Sequence, residues 1–157
     1  MLAALRHPQV WRLGLFGFLT IGTGITFTLS APQMLQAAAG LDTVSIGRLT
    51  SLGGFLGVGG IVLAGFMSDR RGERFSTMVS SVLTVALCFG AMAWALHGHA
   101  VLFVAAYLMW AFAVWAMSFG NLMCWPDLLP RHLLAVGGAA SNTVSQLGAF
   151  LMPDAWG

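Results

Sequence analysis

Charge is what this chain has least of. Only 8% of its 157 residues are charged, and none of them is lysine; a water-soluble domain carries about 25%. Water is therefore not the solvent for most of this surface. The net charge is +2, with no basic stripe of the kind nucleic-acid binders need, so nucleic acid is excluded as a partner. Cysteine is nearly absent too. Cys88 and Cys124 lie in separate apolar runs, where they read as small packing residues rather than a disulfide framework or a thiolate site. His97 and His99 form a short His-x-His link, and a metal ion needs more ligands than two. There is no nucleophile–base pair, metal cluster or phosphate-binding loop, so an enzyme is not expected, nor is a cofactor.

Apolar sequence fills the space that charge leaves. Hydrophobic residues make up 58% of the chain, and its mean hydropathy is +0.84. Five segments, at about 10–31, 46–67, 75–96, 100–125 and 133–152, each approach the roughly 20 residues that cross about 30 Å of hydrocarbon. The fifth is weaker and polar on one face. Breaker-rich links separate them: Pro32 to Ser45, Ser68 to Arg74, His97 to His99, and Pro126 to His132. Long apolar runs on short links predict an all-α, polytopic transmembrane bundle of about five helices, forming one membrane domain over 1–157. A β-barrel would alternate instead.

Orientation follows from the arginines. Arg6, Arg12, Arg70, Arg71, Arg74 and Arg131 fall on one side of this topology, and Arg48 alone on the other. The positive-inside rule then places the N-terminus in the cytoplasm and the C-terminus outside. The first segment is too long for a signal peptide's apolar region, and Pro32 follows its small-residue end directly. The second segment is dense in glycine. Gly53 and Gly57, and Gly60 and Ala64, stand four apart, a spacing that lets membrane helices approach closely. The third reads as smoothly apolar, and the fourth is bulky, with Trp110, Phe112 and Trp115.

The most specific stretch runs from Gly65 to Arg74. An apolar helix ends, a tight charged turn follows, and Gly72 can supply the left-handed conformation the turn needs. Gly65, Ser68, Asp69, Arg70, Gly72 and Arg74 fill the pattern Gly-x-x-Ala/Ser-Asp-Arg-x-Gly-x-Arg, and here the chain resembles the major facilitator superfamily. By that resemblance the loop is a conformational latch. Its aspartate, here Asp69, would meet a helix end in the opposite half of the carrier.

Two flanking stretches are similar to the anion:cation symporter branch. One is Leu5-x-x-Pro8-x-Val10-Trp11-x-Leu13, with Pro32-Gln33 closing the helix. The other joins Trp125-Pro126-Asp127-Leu128-Leu129-Pro130, Gly137 to Asn142, Gln146 to Phe150, and Pro153. The resemblance implies a partial, truncated C-terminal half, helices seven to eleven, of a carrier in a bacterial inner membrane. Its partners would be the bilayer, the missing N-terminal half, a small organic anion such as a sugar acid or dicarboxylate, and a coupling ion, H+ or Na+. The chain departs from the branch at Thr23-Gly24-Ile25-Thr26-Phe27-Thr28, where an aromatic-rich stretch is usual. Gln146, Ala149 and Met152 also replace the usual Asn and Gly residues.

A permeation path needs a polar wall. Thr20, Thr23 and Thr26 recur every three residues on the first helix, and Ser141, Asn142, Ser145 and Gln146 fall three to four apart on the fifth. The candidate substrate-binding residues are Asn142, Gln146, Thr23 and Thr26. The competing reading for the threonines is hydrogen bonding within and between helices. Asn121, with Ser118 a turn earlier, reads as packing. Asp42, Asp69, Asp127 and Asp154 all sit at the ends of apolar runs, so a proton relay would have to lie in the absent helices. A rival reading is a small membrane subunit that pairs with or regulates another membrane protein, with the glycine-rich second helix as its surface.

Overall fold

The computed structural model describes residues 5–72 and 74–156, and every element in them is helical. Five long helices follow in order: α1 (Pro8–Ala39), α2 (Thr43–Arg71), α3 (Arg74–Ala95), α4 (Ala100–Met123) and, after a short α5 (Trp125–Leu128) and a 3-10 turn (Arg131–Leu133), α6 (Leu134–Trp156). Four apolar spans, Pro8–Ala39, Thr43–Arg71, Arg74–Ala95 and Ala100–Leu128, are long and apolar enough to cross a membrane. The chain is an integral membrane protein. With 23 residues, α6 reaches about 34 Å at 1.5 Å per residue. It is long enough to span, but Ser141, Asn142, Thr143, Ser145 and Gln146 dilute its apolar character.

The helices overrun the apolar segments. Sequence reading ends the first helix at Ala31, yet α1 continues through Pro32 to Ala39. Proline removes one N–H, the one that would bond the Thr28 carbonyl, while its fixed φ remains helical. Membrane helices tolerate that loss. The stop comes at Gly40, left-handed at φ 65, whose N–H bonds the Gln36 carbonyl at 2.9 Å. Likewise α6 runs past position 152 and through Pro153.

By its internal contacts the chain divides into two units, Met1–Leu29 with Asn121–Gly157, and Ser30–Gly120. In the second unit, the glycine edge of α2 lies on α4, as the spacing predicts. Gly53 sits beside Tyr107 and Ala111, Gly57 lies on the Trp115 indole, and a Cβ at Gly60 would fall on the Phe112 carbonyl. The buried stripe of α3 is Thr77, Ser81, Val85, Cys88, Met92 and Ala95, whereas Leu83 and Leu87 are exposed. This helix is polar toward its neighbours at one end and leucine-rich outward. The Ser81 hydroxyl tolerates burial because it bonds its own helix, donating to the Thr77 carbonyl at 2.9 Å.

In the first unit, α1 and α6 run in the same direction along a seam of small residues. Val10 meets Ser141, Gly14 meets Val144, Gly17 meets Ser145, and Phe18 and Gly22 meet Gly148. At one end, Val10, Leu13 and Leu129 form an apolar cluster with Trp125, Leu134 and Ala140 packed against it.

Candidate functional site

The turn between α2 and α3 has the shape its residues predict. Arg70 and Arg71 occupy the last turn of α2, where cations oppose the negative helix end. Gly72 caps it at φ 64 and ψ 10, a conformation costing other residues about 1–2 kcal/mol. Asp69, Arg70 and Arg71 are exposed, while Ser68 is buried in the step before them. Ser68 Oγ has no hydrogen-bond partner among the described residues. Neither does the Asp69 carboxylate. Arg74 opens α3 and does have a partner. Glu73, part of the same stretch, lies outside the described residues. The end of α2 thus presents an exposed carboxylate beside two exposed arginines.

The α6 helix separates its polar residues by face. Ser141 and Ser145 are buried against α1, at 0% and 1% exposure. Asn142 and Gln146 follow each of them by one position, about 100° around the helix, and both are exposed. Neither amide makes a hydrogen bond among the described residues. The serines do: Ser141 Oγ donates to the Val10 carbonyl and Ser145 Oγ to the Ser141 carbonyl, both at 2.9 Å. The Ser141 hydroxyl fastens one side of α6 to α1, and two exposed amides one turn apart lie on the other.

The threonines of α1 behave differently. Thr26 is buried and donates to the Gly22 carbonyl at 2.8 Å. Thr23 is exposed, donates to the Leu19 carbonyl at 2.6 Å and touches Met152 Sδ at 3.9 Å. Because α1 and α6 are parallel, Thr23 stands level with Met152, about 15 Å along the axis from Asn142 at 1.5 Å per residue. The structure therefore groups Asn142 with Gln146 and sets Thr23 and Thr26 farther along, with hydroxyls committed to their own helix.

Sequence reading passed over one feature. Asn121, read as packing, is 1% exposed, and neither its amide nitrogen nor its oxygen has a partner among the described residues. The nitrogen would stand 3.1 Å from a Cβ at Gly17, where the Ser145 hydroxyl also converges. The signal available was the residue type, since an amide inside an apolar run is costly unless it is bonded.

The described residues hold no group of three His, Cys, Asp or Glu side chains fit for a metal ion. The family model described as Major Facilitator Superfamily matches residues 1–153. No curated protein and no solved structure matches the chain individually.

Proposed function

The chain belongs to the major facilitator superfamily, and from that premise we propose that it is part of the second half, helices seven to eleven, of a secondary carrier for a small organic anion. In this reading a sugar acid or dicarboxylate crosses a bacterial inner membrane with H+ or Na+, by alternating access, and the N-terminus lies in the cytoplasm. Carriers of this kind place substrate near the midplane between two halves that rock about it. The observation that carries the reading is the exposed amide pair Asn142 and Gln146. Each amide N–H2 is a neutral donor suited to a carboxylate or sugar hydroxyl, and the helix behind them is held to α1 by the Ser141 hydroxyl.

The Asp69 turn supports the same reading. An exposed carboxylate without a partner among the described residues suits a latch that closes on a helix end in the other half. Thr23 and Thr26 stay as secondary candidates for the path wall, farther along α1.

The test is uptake. The chain is co-expressed with a six-helix first half, and uptake of labelled hexuronate or dicarboxylate into vesicles is measured. Asn142→Ala and Gln146→Ala are expected to lower uptake about tenfold or more each, as for one lost hydrogen bond to a charged group, without unfolding the chain. The chain alone is expected to give no uptake. Unchanged uptake in both variants would overturn the substrate role of the amides, and uptake by the chain alone would overturn the need for a partner half.

The rival reading, a pairing or regulatory subunit, relied on the glycine face of α2. That face is occupied inside the chain by Tyr107, Phe112 and Trp115.

A further inference from the structure

Within the second unit a groove of about 340 Å³ opens between α2, α3 and α4, lined among others by Leu63, Met67, Thr77, Ser81, Met109 and Phe112. Its walls carry hydroxyls, yet Ser80, Ser81 and Thr84 each donate to a carbonyl of α3. Those donors are satisfied internally, so the wall can face hydrocarbon. The groove also has a direction. Met67 precedes Arg70 by one turn and Thr77 follows Arg74 by one turn, so one end opens directly below the charged corner. The far end, at Gly60 and Thr84, lies seven residues further along each helix, about 10 Å deeper at 1.5 Å per residue. A polar corner above an apolar slot matches one class of molecule, a lipid with a charged headgroup whose acyl chain enters the slot with its upper part.

We propose that this groove holds one acyl chain of an anionic phospholipid whose headgroup rests on Arg70 and Arg71. Both arginines are exposed at the end of α2. Asp69, exposed beside them, offsets part of their charge, so the corner carries a modest positive excess rather than a strong one. The expected selectivity is accordingly modest, roughly fivefold for an anionic over a zwitterionic lipid. The site is independent of the substrate reading, since it lies on other helices and needs no partner half.

The test uses the purified whole chain. It is equilibrated with phosphatidylglycerol and phosphatidylcholine of equal chain length, and retained lipid is counted by native mass spectrometry. One phosphatidylglycerol is expected to be retained preferentially. Arg70→Gln with Arg71→Gln should remove the preference while some lipid stays bound. Ala64→Leu or Ala113→Leu, which fill the groove, should reduce retention of both lipids. Should either groove variant misfold, a chain-length series on the unaltered protein replaces it: retention of phosphatidylglycerol should rise with acyl-chain length until the slot is filled and then level off. Equal retention of the two headgroups overturns the proposal. So does retention indifferent to chain length, or displacement by free glycerol phosphate, which would mark the arginines as a simple anion site.

Discussion

Ser141 donates its hydroxyl to the main-chain carbonyl of Val10 at 2.9 Å, a bond that joins residues 131 positions apart. It sits at one end of the seam where α1 and α6 lie side by side. A hydroxyl-to-carbonyl bond between membrane helices contributes about 0.6 kcal/mol on average, so it sets register more than strength. Close backbone approach at Gly148 supplies the rest, through dispersion contacts that a larger residue would forbid.

Gly148→Ala should therefore cost about 1–3 kcal/mol, because its Cβ would stand on the Phe18 backbone. Gly54→Ala, at an exposed position of α2 with nothing within 4 Å of the new Cβ, should be neutral or stabilise by about 0.5–1 kcal/mol. Reversible unfolding in mixed micelles separates the two. Equal effects would show that the seam is not tightly packed.

Asn121→Leu is expected to stabilise the chain by about 1–3 kcal/mol. The amide is buried without a partner among the described residues, a state that costs that much in desolvation, and leucine is close to it in shape. The same unfolding experiment checks the sign. A marked loss would mean that the amide is bonded in the membrane.

Gly72→Ala should destabilise by about 1–2 kcal/mol, since φ 64 suits glycine and disfavours any residue with a Cβ. Gly72→Asn should recover part of that loss. Gly47→Ala, at an exposed helical position with open space around it, is the control. Thermal melts of the three variants give the ranking.

Asp42 precedes α2, and chiefly the Ser45 hydroxyl holds its carboxyl below the usual value of 3.8, against a smaller opposing effect of desolvation. The backbone N–H groups of Ser45 and Val44 lower it further by smaller amounts. A lowered folded-state pKa means that the ionised form favours folding. Its contribution is complete above the unfolded value and fades as pH falls through the folded one. Wild type should thus lose stability relative to Asp42→Asn as pH drops from about 5 toward 3. Melting temperatures across that window are the check, and parallel curves would refute it.

The helical bundle was legible because long apolar runs admit few other structures. The Gly65–Arg74 turn was legible because each of its residues has a local reason to be there. Pro32 misled because a proline halts helices in water, whereas in lipid α1 keeps its remaining bonds and waits for Gly40. The third helix misled for a related reason. In a membrane, burial does not select apolar side chains, so Thr77 and Ser81 turn inward and Leu87 outward. The polar face of α6 was visible in sequence, but its division was not. Which of Ser141 and Asn142 faces α1 depends on where Gly14, Gly17 and Gly22 allow contact, a tertiary fact.

Both cysteines are buried, Cys88 at 5% and Cys124 at 3% exposure. Thiol reagents act on the accessible thiolate, so the folded chain should be almost silent toward maleimides. One cysteine introduced at an exposed position would be the sole reactive label on an otherwise native background. A spin or fluorescent reporter on the amide face of α6 could then follow the motion of that helix without any prior replacement of native residues.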